Sequence, residues 1–275
     1  MNPWHTGDVR VNGLTIHYTR TGGAKPPLVL MHGFSDDGLC WTPVAQALEA
    51  HFDVIMIDAR GHGRSDAPEN GYGPLEHASD LAGVITALGL THLPILGHSM
   101  GAITALTLAG ARPDLAGALL LEDPPPWWES DTLSAAADDD RWAGMRAWVL
   151  QLKRQTRDEL IAAQRAATPA WSDDELGPWA DAKHRLSLNV INRSAPIEVD
   201  WQTMLRHITC PTLLITGDPA RGALVKPDHV RSLQHLVPHL QVAHIPDAGH
   251  SIRRDQFKRY LEVVQDFLAS MGMQG

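Results

Sequence analysis

The sequence predicts an α/β fold, in which a mostly parallel sheet is covered by helices on both faces and carries an inserted helical cap. Short continuous apolar runs such as Leu28–Met31 and Val54–Ile57 are typical of strands buried on both faces. Segments with helical spacing alternate with these runs, as the connections of a parallel sheet require. From about Pro124 to Arg206 the alternation stops, and helical patterns replace it.

The first half of the chain supplies the alternating elements in order. Val9–Thr19 alternates apolar and polar residues around a central Gly, which predicts a β-hairpin. The predicted strands and helices that follow, in alternation and starting with a strand, are Leu28–Met31, Val44–Leu48, Val54–Ile57, Ser79–Leu88, Pro94–Leu96, Ile103–Ala109 and Ala118–Leu121.

The predicted cap comprises residues 125–205, and residues 1–124 and 206–275 form the predicted core. Helical patterns cover Arg141–Ala166 and Asp173–Val190, and seven of the nine tryptophans lie in the cap segment. The strand–helix alternation then returns with Thr212–Ile215, His229–Leu236, Gln241–Ile245 and Gln256–Met271.

Composition narrows the class of protein. The 275 residues are 44% apolar and 20% charged, and the formal net charge of −9 disfavours nucleic acid and anionic membranes as partners. The N-terminus lacks a signal-peptide pattern, and no apolar run approaches the roughly 18–20 residues of a membrane span. Cys40 and Cys210 show neither metal-ligand spacing nor a disulfide framework. We therefore expect a cytoplasmic protein with reduced cysteines.

The most informative motif is the pentapeptide from Gly97 to Gly101, which has the form G-x-S-x-G. It lies between an apolar run and a helical segment, and this setting predicts a nucleophile elbow. The turn is so tight that Ser99 takes a strained, positive-φ conformation, and side chains at Gly97 and Gly101 would collide with neighbouring backbone. The elbow therefore presents the Ser99 hydroxyl at the carboxyl end of the sheet.

A serine nucleophile needs a base and an oxyanion hole. His250 is the predicted base, because it follows the last predicted strand and so shares the sheet edge with Ser99. The backbone N–H of Met100, next to the nucleophile, is one predicted oxyanion donor. The N–H of Phe34, in the loop after the strand that ends at Met31, is the other.

These motifs make the sequence resemble the α/β-hydrolase family over nearly its whole length, and more closely its capped serine esterase or lactonase type. The resemblance rests on His32-Gly33-Phe34, the segment Asp58 to Asp66, Gly97 to Gly101 and Gly249-His250. It implies the α/β-hydrolase fold with the cap as its lid. Asp58 to Asp66 matches the family's D-x-R-G-x-G-x-S turn, which implies loop architecture bordering the pocket rather than catalytic residues.

The acid of the triad departs from the family's usual pattern. The family's usual position for the acid lies a few residues beyond a Gly after the strand ending at Ile215. Here Asp218 follows the Gly directly, and the later usual position holds no carboxylate. Some relatives carry the acid after the preceding core strand. When residues are counted without a gap from Ser99, that position is Asp123 in this chain, and Glu122, one residue earlier, is the alternative. Asp123 is our first choice, and Asp218 and Glu122 stay open. The chemistry requires a buried carboxylate that accepts the histidine Nδ1–H.

The predicted activity is hydrolysis of a carboxylic ester or lactone of a mid-sized hydrophobic substrate through an acyl-enzyme on Ser99. Most cap tryptophans are expected to be structural, whereas Trp127, Trp128 and Phe34 are the predicted substrate-binding residues. An alternative is carbon–carbon bond hydrolysis of ring-fission products on the same triad. A small-molecule receptor without turnover is a third, less favoured hypothesis.

Other chemistries are disfavoured by residue type. Epoxide hydrolases and haloalkane dehalogenases need a carboxylate nucleophile where this chain has Ser99. No Cys/His cluster with zinc-like spacing and no Gly-rich phosphate cradle is apparent in the sequence, so we expect neither a metal nor a cofactor. The sequence does not indicate an oligomeric state.

Overall fold

The computed structural model describes residues 4–129, 139–192 and 199–272. At its centre is one eight-stranded sheet with the strand order β1-β2-β4-β3-β5-β6-β7-β8. The first two strands are antiparallel, β2 runs antiparallel to β4, and the remaining neighbours are parallel. The predicted α/β fold with a mostly parallel sheet is confirmed. The strands are β1 (His5–Val11), β2 (Leu14–Arg20), β3 (Pro27–Met31), β4 (Asp53–Ile57), β5 (Leu93–His98), β6 (Ala116–Glu122), β7 (Thr212–Thr216) and β8 (Gln241–His244).

Helices cover both faces of the sheet. The helices of the described residues are α1 (Thr42–Leu48), α2 (Pro74–Ala87), α3 (Met100–Ala111), α4 (Asp139–Arg154), α5 (Arg157–Ala167), α6 (Asp173–Arg185), α7 (Trp201–Arg206), α8 (Pro227–Leu236), α9 (Ile252–Asp255) and α10 (Phe257–Ser270). None of them combines the length and the hydrophobicity that a bilayer crossing requires.

Alternate residues of the buried strands pack into two separate cores. In β3, Val29 and Met31 face one core together with α2, α3, α7 and α8, whereas Leu28 and Leu30 face the other with α1, α9 and α10. Side chains of a strand point to opposite faces in turn, so a strand covered on both sides must be apolar throughout. This explains why the central strands are continuous apolar runs.

The predicted N-terminal hairpin is present. Val11 pairs with Leu14, and Asn12 and Gly13 between them have φ of 51° and 79°. Asn-Gly favours this two-residue turn because both central positions need a positive φ. The hairpin extends the sheet on the side away from β8.

Between β6 and β7 the described residues include helices and short turns but no strand. We call the segment from α4 to α7 the helical insertion. The pattern over Arg141–Ala166 divides into α4 and α5, because Thr156 begins a new helix. Its hydroxyl accepts the Glu159 N–H, and the Glu159 carboxylate accepts the Thr156 N–H in a capping box. The cap boundaries at residues 125 and 205 stay a prediction.

The pattern over Asp173–Val190 also ends earlier than expected. Helix α6 stops at Arg185, and a single 3₁₀ turn, Leu188–Ile191, follows it. This turn belongs to an apolar cluster that includes Val149 of α4, and Phe34 of the core packs against the cluster. The helical insertion therefore contacts the loop that carries one of the predicted oxyanion donors.

Candidate active site

Ser99 lies at the turn between β5 and α3, as the pentapeptide predicts. Its φ is 52°, which is a strained value for a residue with a side chain. A Cβ on Gly97 would lie 2.4 Å from the Gly101 carbonyl oxygen, and one on Gly101 would lie 2.1 Å from that of Met31. Both glycines are therefore required by close backbone packing, and the elbow brings the start of α3 against the end of β3.

A continuous chain of hydrogen bonds joins Ser99, His250 and a carboxylate. Ser99 Oγ lies 3.0 Å from His250 Nε2, and His250 Nδ1 lies 2.6 Å from Asp123 Oδ2. The His250 side chain keeps 34% of its surface exposed, whereas that of Asp123 is fully buried. This geometry allows His250 to take a proton from Ser99 while a buried carboxylate faces the imidazolium that forms.

Asp123 is fixed from two sides. It directly follows β6 and has a φ of 42°, another strained value. The backbone N–H of Leu224 donates to Oδ1 at 3.1 Å and to Oδ2 at 2.8 Å, and the N–H of Val225 donates to Oδ1 at 3.0 Å. These donors lie in the loop after β7, so neighbouring strand ends jointly orient the carboxylate toward His250.

Asp218, the candidate carboxylate that follows β7, has other partners. Its Oδ2 accepts the Asp247 N–H at 2.7 Å, and its Oδ1 lies 3.1 Å from His244 Nε2. Asp247 begins the turn that leads to His250, and its φ is 61°. Asp218 therefore supports the loop of His250 and does not contact the His250 imidazole.

Glu122 is also directed away from His250. It is fully buried, and its Oε1 accepts the Arg253 N–H at 2.9 Å while its Oε2 accepts from the Arg253 guanidinium at 3.2 Å. Burial raises the pKa of the Glu122 carboxyl. Of the three candidate carboxylates, Asp123 is the one hydrogen-bonded to the imidazole.

The predicted oxyanion donors are in the Phe34 loop and at Met100, the first residue of α3 and the neighbour of Ser99. A Cβ on Gly33 would lie 3.5 Å from Ser99 Cβ, so the loop of Phe34 runs alongside the nucleophile. Among the backbone–backbone hydrogen bonds of turns, loops and caps in the described residues, none is donated by the N–H of Phe34 or Met100. That these two N–H groups bind a developing oxyanion stays a prediction.

The Asp58 to Asp66 turn supports the Phe34 loop. A ring nitrogen of buried His62 lies 2.6 Å from the Phe34 carbonyl oxygen. Asp58 accepts the N–H groups of Gly38 and Arg64 at 2.7 and 2.8 Å. Burial, with a smaller contribution from the nearby negative charge of Asp37, raises the pKa of Asp58 to about 6. The contacts of Asp58 are those of a loop-organising residue.

His98 is a neighbour of the site that sequence reasoning missed. Its ring lies 4.8 Å from that of His250, centroid to centroid, and its Nε2–H donates to the His250 carbonyl at 3.0 Å. Burial, followed by the Arg253 cation, lowers the pKa of His98 well below its usual range. The only signal for it was its position inside the G-x-S-x-G pentapeptide.

The three predicted substrate-binding residues have different surroundings. Trp128 is buried and donates its indole N–H to Ser232 Oγ of α8 at 3.0 Å, so it fastens the segment after β6 to the core. Trp127 is partly buried and packs against the same core, whereas Phe34 packs against the helical insertion. Their contact with substrate stays a prediction. Across the described ranges, no group of three or more His, Cys, Asp or Glu side chains could hold a metal ion.

The sequence is similar to those of named enzymes that cleave small molecules. N-formylmaleamate deformylase of Pseudomonas putida is 31% identical over 266 residues, which cover 95% of this chain and 96% of that protein. The 2-(acetamidomethylene)succinate hydrolase of Mesorhizobium japonicum is 27% identical over 286 residues, with 94% of each chain covered. A crystal structure of E-2-(acetamidomethylene)succinate hydrolase has a TM-score of 0.77 at 22% identity, covers 97% of this chain and all of its own, and shows the same fold.

The family model of the alpha/beta hydrolase fold matches residues 26–253, from the residue before β3 into α9. The match includes the elbow of Ser99 and the loop of His250. With the strand order and the full-length relatives, it establishes that this chain is a member of the α/β-hydrolase family and a hydrolase.

Proposed function

We propose that this hydrolase uses Ser99 as its nucleophile and cleaves an acyl group from nitrogen in a small substrate. The observation that supports it best is the hydrogen-bond chain from Ser99 through His250 to Asp123, with distances of 3.0 and 2.6 Å. The chain also supports an enzyme over the hypothesis of a receptor without turnover, because a receptor needs no strained serine aligned with a base.

Acylation follows from this geometry. Ser99 Oγ attacks the acyl carbon while His250 Nε2 takes the hydroxyl proton, and Asp123 stabilises the imidazolium. The N–H groups of Phe34 and Met100 bind the oxyanion, and loss of one such donor typically costs roughly 3 kcal/mol of barrier. The intermediate collapses when His250 gives its proton to the leaving nitrogen, which departs as a neutral amine or enamine.

Deacylation reverses the roles with water as the nucleophile. His250 takes a proton from a water molecule as that water attacks the acyl-enzyme, and the same two N–H donors bind the second oxyanion. Collapse releases the carboxylic acid and returns the proton to Ser99 Oγ. Acid and base chemistry are thus carried by His250 alone.

The choice of bond rests on the relatives. Both relatives carry an acylated nitrogen in their substrate names, an N-formyl group in one and an acetamido group in the other, and neither is named for an ester or a lactone. These two relatives therefore favour an activity other than ester hydrolysis. They support the alternative from the sequence better than its main prediction, which was an ester or lactone hydrolase. Carbon–carbon bond hydrolysis on the same triad, the alternative stated from the sequence, is the second candidate.

A matched substrate panel tests the proposal. Enamides and enol esters that carry the same formyl or acetyl group, each with and without a carboxylate, are compared with a dienone ring-fission product by kcat/KM and product identification. We expect an enamide to be hydrolysed at least as efficiently as its ester partner, although esters are intrinsically more reactive. The Ser99→Ala variant should hydrolyse none of them.

Two results would contradict the proposed bond. Rapid hydrolysis of the esters with inert enamides would return the activity to a carboxylic ester hydrolase. Cleavage of the dienone alone would assign the carbon–carbon bond instead. Either result would leave the role of Ser99 intact, because the panel separates the bond from the nucleophile.

A further inference from the structure

The helical insertion contacts the loop of His250 through a hydrogen-bonded link. The indole N–H of Trp171, between α5 and α6, donates to Asp255 Oδ1 at 2.8 Å. The other oxygen of this carboxylate, Oδ2, accepts the backbone N–H of Gly249 at 2.7 Å. Gly249 directly precedes His250, so a single carboxylate connects the insertion to the base.

A buried ionic cluster holds the two ends of this link together. The Arg254 guanidinium lies 4.8 Å from the ring centre of Trp171 and donates to Glu175 Oε2 of α6 at 3.0 Å. It also lies 3.0 Å from Asp36 Oδ2, in the loop that carries Phe34. The side chains of Arg254, Glu175 and Asp36 are at most 5% exposed.

The same cluster reaches the oxyanion side of the site. Lys183 of α6 is buried and donates to the Ser35 carbonyl at 2.7 Å and to Asp36 Oδ1 at 2.9 Å. Arg253 completes the cluster by pairing with Asp36 and with Glu122. Three cations, those of Lys183, Arg253 and Arg254, thus face the three carboxylates of Asp36, Glu122 and Glu175, so the buried charges balance.

We propose that Trp171 and Asp255 are positioning residues, through which the helical insertion sets the distance between His250 Nε2 and Ser99 Oγ. The inference rests on the proposed function of Ser99. The Gly249 backbone has little freedom to find another partner, because a Cβ there would lie 2.5 Å from the Arg221 carbonyl oxygen. Loss of the link lets the 3.0 Å contact between His250 Nε2 and Ser99 Oγ lengthen.

The test measures how fast a fluorophosphonate modifies Ser99 at saturating reagent. Trp171→Phe removes the indole N–H and keeps an aromatic ring beside Arg254. Asp255→Asn keeps the shape of the side chain, but its amide can accept only one of the two N–H groups. We expect each variant to react about tenfold more slowly at saturation, with little change in the reagent concentration at half-saturation.

Two further variants separate positioning from general damage. Trp148→Phe, on α4 where the tryptophan is 42% exposed, is the matched control and should react like the wild type. The double variant Trp171→Phe/Asp255→Asn should react no more slowly than the slower single variant, because both changes break one link. Circular dichroism checks that each variant is folded, and Asp255→Asn carries the test if Trp171→Phe does not fold.

The outcomes are distinguishable. A folded Trp171→Phe or Asp255→Asn variant that reacts at the wild-type rate overturns the positioning role and leaves the proposed function unaffected. Fold-losses in rate that multiply in the double variant also overturn it, since independent effects add as free energies. A wild-type protein that fails to react contradicts the proposed function, and with it the positioning role.

Discussion

At the scale of single residues, the site depends on strained backbone placed where strands end. Ser99 and Asp123 both have positive φ values and follow the neighbouring strands β5 and β6. Such conformations persist only where surrounding contacts determine them. The N–H groups of Leu224 and Val225 do this for Asp123, and the packing of Gly97 and Gly101 does it for Ser99.

The triad acid can be tested by single amide substitutions. In Asp123→Asn, the amide oxygen must face Leu224 and Val225, so the amide N–H faces His250 Nδ1 and forces the proton onto Nε2. That tautomer cannot accept from Ser99, and we expect kcat to fall by about 10⁴-fold. Kinetics on whichever substrate the panel identifies provide the measurement.

The matched control for the acid is Asp218→Asn. Because Asp218 contacts Asp247 and His244 rather than His250, this variant should lose less than tenfold in kcat. Suppose instead that Asp218→Asn loses as much kcat as we predict for Asp123→Asn, and that Asp123→Asn stays active. The triad acid would then be Asp218.

Sequence reasoning found the residues whose signals are local. Ser99 and His250 lie within short motifs, and Asp123 follows from a count along the chain. Lys183 and Trp171 gave no signal, because their partners Ser35 and Asp255 are 148 and 84 residues away. Contacts at such separations are set by how the helical insertion folds onto the core, which periodicity does not reveal.

At the scale of elements, packing at the start of α3 fixes the backbone of Ser99. We predict that Gly101→Ala lowers the free energy of unfolding by about 1–3 kcal/mol, because its Cβ meets the Met31 carbonyl. The matched control is Gly144→Ala in α4, where a Cβ meets nothing within 4 Å and the helix gains up to about 1 kcal/mol. Urea unfolding compares the two, and equal effects would contradict the packing argument.

The contact of α6 with the core depends on a buried cation. Lys183→Met removes the charge that faces Asp36 and leaves this carboxylate with fewer partners, so we expect a loss of about 3–5 kcal/mol in the free energy of unfolding. Lys258→Met, at an exposed position of α10, should change it by less than about 0.5 kcal/mol. Urea denaturation measures both, and an unchanged Lys183→Met midpoint would show that the pair does not stabilise the fold.

The elements that differed from expectation are short or broken helices. Helices α7 and α9 have 6 and 4 residues, which is too few for a periodic pattern to appear. The division between α4 and α5 depends on the Thr156–Glu159 capping box, a local signal that a continuous helical pattern concealed. The central strands were predicted well, because burial on both faces makes them largely continuous apolar runs.

At the scale of the whole molecule, buried neutral histidines couple stability to pH. Burial lowers the pKa of His32 and His62 to about 4, and it lowers the pKa of His77 and His98 well below the usual range. In the unfolded chain each would have a pKa of about 6.5. As pH falls below about 6.5 the unfolded chain takes up these protons first, so stability present at neutral pH is lost between about 6.5 and 4.

A histidine variant tests this coupling. From pH 7.5 to 5.5, each histidine that stays neutral when folded lowers the free energy of unfolding by about 1.4 kcal/mol. His77→Gln should therefore reduce the pH dependence of the wild type by about that amount, whereas His207→Gln at an exposed position should not. Urea unfolding at the two pH values decides, and an equal pH dependence in His77→Gln and wild type would rule out the contribution of His77.

Ser99 as the nucleophile is the claim on which the proposed function depends. The most direct measurement is the intact mass of the protein after reaction with a fluorophosphonate, followed by peptide mapping. We predict one phosphonyl adduct per chain, located on Ser99, with loss of all hydrolase activity and no adduct on the Ser99→Ala variant. A protein that remains unlabelled, or that carries the adduct on another residue, would contradict the account.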